Sequence, residues 1–185
     1  MFRSVYYSIC NIINKVEFRR KGFNYPDTLK LYGHIHLCGS GKCQIAENVQ
    51  IISDWRANPI GGEKSVFDFR GGVLSIGKNT GVSNVHFSTM SQIQIGENVN
   101  IGSDCKIFDH DFHSIDYETR IHGDSEIKTS PVHIDDGAFI GTNSIILKGV
   151  TVGKHSVVGA GSVVTKTIPD NEIWAGNPAR FIRKL

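Results

Sequence analysis

From Ile134 onward an aliphatic residue falls at every sixth position, as Ile134, Ile140, Ile146, Val152, Val158 and Val164. A period of six fits neither a helix of about 3.6 residues per turn nor the two-residue alternation of an isolated strand, so it implies a repeated unit of short strand plus turn. The units read directly as Ile140-Gly141-Thr142-Asn143-Ser144-Ile145 and, later, Val158-Gly159-Ala160-Gly161-Ser162-Val163. Their first position carries a branched aliphatic that can point inward, the second is often Gly, and the fifth is small enough for a chain turning a corner. Three such faces close one triangular turn, and turns stacked about 4.8 Å apart satisfy one another's backbone groups by parallel pairing. One turn buries too little apolar surface to stand alone, so the chain is predicted to be a solenoid.

The same phase appears earlier, at Ile95, Ile101 and Ile107, at Ile76 and Val82, and more faintly at Ile45 and Ile51. Between these runs the register slips. Ile76 to Ile95 is nineteen residues, one more than a multiple of six, and Ile107 to Ile134 is twenty-seven. Slips mark insertions, and the larger one, 108–130, has no aliphatic hexad and must leave the coil as a loop. Long loops on rigid scaffolds tend to carry function.

With 185 residues and 39% hydrophobic content, one elongated core is expected. The twenty glycines are spread through the repeats, as coil corners require. A net charge of +2, with no basic stripe interleaved with aromatics, argues against nucleic acid as a partner. Cys10, Cys38, Cys43 and Cys105 lack a two-by-two ligand spacing and read as free thiols in a reducing cytosol. No apolar run approaches a membrane span and the N-terminus does not read as a secretion signal, so a cytoplasmic location is expected.

Residues 1–22 read differently. Phe2, Val5, Tyr6, Ile9, Ile12, Ile13 and Val16 recur at helical spacing, and Arg19, Arg20 and Lys21 follow. This predicts an amphipathic helix packed on the first coil or a neighbouring subunit. The alternative is peripheral contact with the inner membrane surface through the same residues. The expected division is an N-terminal helical extension over 1–25, a β-helix over 26–168, and a C-terminal tail over 169–185, where Pro178 and the loss of hexads take the chain out of the coil.

The C-terminal block carries the most specific pattern, in Val158-Gly159-Ala160-Gly161-Ser162-Val163-Val164-Thr165-Lys166 and Trp174-Ala175-Gly176-Asn177-Pro178-Ala179-Arg180. On these residues the chain resembles, over about 30–185, the hexapeptide-repeat acyltransferases. The nearest branch is the one holding maltose and galactoside O-acetyltransferases and bacterial surface-polysaccharide O-acetyltransferases. The resemblance implies an all-β, left-handed parallel β-helix; six-residue spacing alone does not fix the hand. It also implies acetyl-CoA as co-substrate, no metal, and a homotrimer with its sites between subunits.

Within the loop, Asp109-His110-Asp111-Phe112-His113 gathers two imidazoles and two carboxylates in five residues. A hydroxyl nucleophile is almost wholly protonated at neutral pH, so its attack on a thioester needs a base, and histidine suits that task. A carboxylate on the far ring nitrogen would fix the tautomer, with Asp109, Asp111 and Asp116 as candidates. The galactoside and maltose enzymes carry a Gly-His-Pro-Val-His segment whose first His is the base. His110-x-x-His113 repeats that spacing without the Gly and Pro, which points to His110 and leaves His113 either as a second polar contact to the acceptor or as an exposed side chain.

Asn84 lies near the place where the sugar enzymes keep an acceptor-touching Asn. Asp54, Trp55 and Arg56 interrupt an early coil, where they border the acceptor pocket or fill a subunit contact. For the cofactor, the resemblance assigns Thr142 and the backbone around Ala160 to the pantetheine arm and Thr165, Lys166, Arg180 and Arg183 to the adenosine phosphates. Trp174 either covers that arm or plugs the core. The expected activity is acetyl transfer to a sugar hydroxyl in surface-polysaccharide synthesis, on a free or lipid-linked acceptor. The alternatives are N-acetylation of a nucleotide-linked amino sugar, a γ-class carbonic anhydrase, and a non-catalytic carbohydrate-binding solenoid.

Overall fold

The computed structural model describes residues 2–62 and 64–185. A helix, α1 (Phe2–Arg20), precedes a coil of short parallel strands that runs over three faces. The first coil consists of β1 (Lys30–Gly33) and the long β2 (His36–Ile45), which bends across the second and third faces. The next consists of β3 (Gln50–Ser53) and the equally bent β4 (Val66–Ile76), then β5 (Gly81–Ser83), β6 (His86–Thr89) and β7 (Gln92–Ile95). Above them lie β8 (Asn100–Ile101) and β9 (Lys106–Phe108), the loop with its short helix α2 (Tyr117–Ile121), and β10 (Val132–Ile134). The last coils are β11 (Phe139–Ile140), β12 (Ile145–Ile146) and β13 (Thr151–Val152), then β14 (Val157–Val158) and β15 (Val163–Val164). A hairpin of β16 (Glu172–Gly176) and β17 (Ala179–Lys184) closes the far end.

Parallel pairing places inward residues directly above one another. On the first face the column is Leu31, Ile51, Val82, Ile101, Ile140, Val158 and Trp174. On the second it is Leu37, Phe67, Phe87, Ile107, Ile146 and Val164. The third stacks Ile45, Ile76, Ile95, Ile134 and Val152, ending on the bridge to Ile168. Nearly all of these side chains are buried, and together they form one continuous core. The aliphatic hexads of the sequence are these columns.

Corners are set by backbone conformation. Between the third and first faces, Asn48, Asn79, Asn98, Gly137, His155 and Asn171 all adopt positive φ, between 56° and 69°. Asn and Gly tolerate this region best. The amides also stack, Asn48 Nδ2 donating to Asn79 Oδ1 and Asn79 Nδ2 to Asn98 Oδ1, each at 3.2 Å. Gly137 leaves room for the ring above it, because a Cβ there would meet His155 Cδ2 at 2.5 Å.

Three features depart from the sequence expectation. The chain leaving β3 at Asp54 brings Trp55 and Arg56 beside α1, where Arg56 lies 5.0 Å from the Tyr6 ring. Second, the tail does not leave the coil at residue 169: β16 pairs parallel with β14 as a further rung, and only β17 turns back antiparallel after Asn177-Pro178. The inward-facing Trp174 supplies the apolar residue that the hexad pattern lacked there.

Third, α1 packs on the first coil through a mixed side, with the amide of Asn14 between the Cys10 thiol and the Phe18 ring. Cys10, Asn14 and Phe18 are the buried residues, whereas the apolar residues expected to seek the core are exposed. The physical reason is the free edge of β1, whose carbonyls need donors. Asn14 Nδ2 donates to Gly33 O at 2.8 Å while its Oδ1 accepts from Ile35 N at 3.1 Å, and Asn11 Nδ2 donates to Leu31 O at 3.3 Å.

Replacing Ile107, fully buried at mid-column, by Ala should cost about 2–5 kcal/mol of unfolding free energy in a denaturant titration. A loss below about 1 kcal/mol would mean that the column does not hold the coils together.

Candidate active site

The inserted loop leaves the second face after β9 and returns at β10, so it spans 109–131, one residue off the expected start. Its two ends zip together. Ser130 N and Thr129 Oγ1 both donate to Asp109 O at 2.8 Å, and Asp111 N donates to Lys128 O at 2.9 Å. The stem therefore rests on the scaffold while the distal part carries α2, whose N-cap is Asp116: its Oδ1 accepts from Thr119 N at 2.8 Å.

Asp109 is wholly buried and saturated with donors. Its Oδ1 accepts from Met90 N at 2.8 Å and its Oδ2 from Ser91 N and Thr89 Oγ1, each at 2.8 Å. The remaining partner is His110 Nδ1, 2.9 Å from Oδ1, and both side chains are 0% exposed. A carboxylate ringed by donors leaves Nδ1 as the N–H, so the lone pair lies on Nε2. His110 Nε2 is buried and has no hydrogen-bond partner, alone in this among the side-chain atoms of the described residues. Such an atom normally costs about 1–3 kcal/mol, unless another molecule meets it.

An aromatic cluster lies beside the imidazole. The Phe112 ring lies 4.8 Å from His110, Phe108 meets Phe112 edge-on at 5.0 Å, and the Arg70 guanidinium sits 5.0 Å over the outer Phe112 ring. Phe108 also touches His86 at 5.8 Å. His86 joins Lys64, Val66, Asn84, Asp104, Cys105 and Lys106 around a cleft of about 320 Å³ on the second face. Rings thus link the cleft to His110.

The other expected residues fall in different places. Asp111 is ion-paired with Lys148 at 2.6 Å, and Asp116 caps α2, so Asp109 is the carboxylate on His110. His113 is exposed, its Nδ1 2.5 Å from Asp124 Oδ2. Asn84 is a buried corner residue at φ 50°, in column with Asp104, Asn143 and Gly161, and its backbone joins Ile52 and Asp104. Thr142 and Ala160 lie at the corner between the first and second faces, where Gly141 must lack a side chain because its Cβ would meet Ala160 N at 2.5 Å.

Thr165 and Lys166 follow β15 at the opposite edge of the second face, above Lys148 and the loop. Trp174 is half-buried against the core, its Nε1 donating to Glu172 Oε2 at 2.8 Å, and Arg180 and Arg183 are exposed on β17. Among the described residues, no three His, Cys, Asp or Glu side chains converge as a metal site would require.

Sequence reasoning missed Thr89, Met90 and Ser91, which hold Asp109. Their signal was the one-residue slip between Ile76 and Ile95, which widens the corner after β6 and turns two amides toward the loop.

Two groups beside the aromatic cluster are electrostatically tuned. Burial pushes the His86 imidazole below its ordinary 6.5, with Lys106 acting in the same direction and Asp68 opposing. For Asp68, burial raises the pKa, but hydrogen bonds from Ser88 (2.6 Å) and Arg70 (3.1 Å) outweigh it and hold the carboxyl low. Both depressed values favour the deprotonated forms in the folded state, so their contributions are present at neutral pH and are lost as pH falls through the acid range. An NMR titration should give His86 a midpoint below 6.5; a midpoint above it would contradict the burial.

The profile described as "Hexapeptide repeat of succinyl-transferase" matches residues 131–166. Galactoside O-acetyltransferase of Escherichia coli (strain K12) is 35% identical over 125 residues, 66% of this chain and 60% of that protein. The chain spans about half the length of the curated relatives it matches. Among solved structures, a maltose O-acetyltransferase from Clostridium difficile 630 is 26% identical and aligns over 100% of this chain and 88% of that one, with a TM-score of 0.61. A hexapeptide-repeat-containing acetyltransferase from Vibrio cholerae, solved with acetyl coenzyme A, is 26% identical over 99% of this chain and 86% of that one, with a TM-score of 0.60. In its parallel β-helix, its stacked hexads and its matched profile, the chain is similar to the hexapeptide-repeat acetyltransferases.

Proposed function

We propose that the protein is an acetyl-CoA-dependent O-acetyltransferase acting on a sugar hydroxyl, with His110 as general base. The observation that carries this reading is the buried His110, fixed by Asp109 and presenting an unpartnered Nε2. Nε2 removes the proton from the acceptor hydroxyl as that oxygen attacks the thioester carbonyl. Asp109 holds the ring and stabilises the imidazolium. When the tetrahedral intermediate collapses, the C–S bond breaks and His110 returns its proton to the departing thiolate, so no acyl-enzyme is needed.

Acetyl-CoA is proposed to lie along the glycine-lined corner at Gly141 and Gly159, past Thr142 and Ala160, with Thr165, Lys166, Arg180 and Arg183 toward the phosphates. A thioester arm can lie close to backbone that carries no side chain, and exposed cations pair with phosphate oxygens. Within one chain, Thr142 and Ala160 sit across the second face from His110. A site built from both edges requires a neighbouring copy, which supports assembly as a trimer with active sites between subunits. The cleft beside His86 and Asn84, joined to His110 by aromatic rings, is assigned to the acceptor, with His113 at its margin.

Sugar hydroxyls are favoured because the relatives named for their acceptors modify galactosides and maltose. Cell-surface polysaccharide is the proposed destination, and the cytoplasm, which supplies acetyl-CoA, the proposed compartment.

Replacing His110 by Ala should lower acetyl transfer by roughly 100- to 10,000-fold while leaving the thermal shift produced by CoA intact. Lys166→Ala and Arg180→Ala should shrink that shift. Free-thiol release measured over a panel of sugars and amino sugars identifies the acceptor. Full activity in His110→Ala, or no CoA shift in the unaltered protein, would rule this mechanism out.

A further inference from the structure

The outward face of α1 is apolar. Phe2, Val5, Ile9, Ile12, Ile13 and Val16 lie opposite the buried Cys10, Asn14 and Phe18, with exposures from 41% at Ile13 to 90% at Phe2. A cap over the end of a coil needs only its inner side, and contiguous exposed apolar side chains mark a surface that meets something else. At 100° per residue these six positions form one stripe, which Arg20 continues at its C-terminal end and Arg19 borders on one side.

Charge narrows the occupant. Along α1 the basic residues are Arg3, Lys15, Arg19 and Arg20, and the only acid is Glu17. Glu17 is turned toward its own chain, 3.9 Å from His34. Beyond Tyr6, at the stripe's edge, Arg56 stacks on both Tyr6 and Trp55, and Trp55 is 59% exposed. An apolar stripe, basic flanks and an exposed tryptophan at its border are the chemistry of a helix lying in the headgroup region of an anionic bilayer.

A second copy of the same helix fits less well. The spacing 2, 5, 9, 12, 16 follows a coiled-coil seam, but it would carry Arg19 into the next seam position and set Lys15 and Arg20 beside it on every copy. Like charges would then face one another without an acid between them.

We propose that α1 docks the protein on the surface of a bilayer containing anionic lipid, lying parallel to the plane with its apolar stripe inserted. The helix is too polar to cross: no helix of the described residues is long and apolar enough to span a membrane. This assignment is independent of the reaction proposed for His110.

The test uses the full chain and vesicles of phosphatidylcholine, alone or with about one quarter phosphatidylglycerol, read by co-sedimentation. The chain should bind the anionic vesicles about tenfold or more tightly than the neutral ones, and about 0.5 M salt should release most of it. Ile9→Asp combined with Ile12→Asp, and separately Arg19→Glu combined with Arg20→Glu, should each weaken binding about tenfold. These positions are exposed, so the variants should keep the parent unfolding midpoint; should the first fail to fold, the second decides. Equal affinity for neutral and anionic vesicles, no binding to either, or undiminished binding by the charge-reversed variant would overturn the proposal. So would a fall in oligomeric state of Ile9→Asp/Ile12→Asp on analytical ultracentrifugation, since that would make another copy the occupant.

Discussion

Vertical register is the constraint from which the rest of this structure follows. Parallel ladder bonds place Ile101 on Val82 and Ile140 on Ile101, and a one-residue slip in any rung would turn its aliphatic from core to solvent. Length variation is therefore expelled to the corners, where it costs no pairing. The insertion that follows β3, the loop at 109–131 and the widened bend at 89–91 all lie between strands or at their ends. Two of these irregularities meet: the amides of Met90 and Ser91 hold the Asp109 carboxylate, which in turn holds His110. The site is built where the repeat is interrupted twice on the same edge.

That coupling resolves a tension common to functional loops, which need freedom to accept insertions and rigidity to place a reacting atom. The distal part of the loop is mostly exposed and bonded within itself, through Asp116 and Asp124, whereas the stem at 109–111 and 128–130 is zipped to itself and to the coil. Asp109 serves both purposes with one side chain, anchoring the loop and setting the tautomer of the imidazole beside it. Phe112, backed by Phe108, then lays apolar surface against the ring, which strengthens any electrostatic interaction made there.

The coil was legible because its signal is local and repeated: the hexads name the inward columns, and Gly or Asn at positive φ marks the corners. The Asp-His pair was legible as two adjacent residues, but its supporting donors were not, since Thr89 to Ser91 precede Asp109 by about one coil and join it only through stacking. Asp111 looked equivalent to Asp109 in sequence; Lys148, thirty-seven residues on, separates their roles. β16 was hidden for a related reason. Its inward residue is a tryptophan after an interrupted hexad, and only pairing with Val158 shows that the coil continues.

The two ends of the solenoid face the same problem, an unpaired strand edge, and meet it differently. At the far end β17 folds back on β16 and presents Arg180, Arg183 and Lys184, charges that discourage a further strand from adding. At the near end the β1 edge is satisfied by amide side chains of α1 instead of by a strand. A helix that turns Asn11 and Asn14 inward beside Phe18 needs few apolar residues for its own attachment, so hydropathy periodicity alone could not say which side would be buried. Six apolar residues on the outer side, ending on Arg19 and Arg20, therefore have to be explained by something other than the fold that the helix caps.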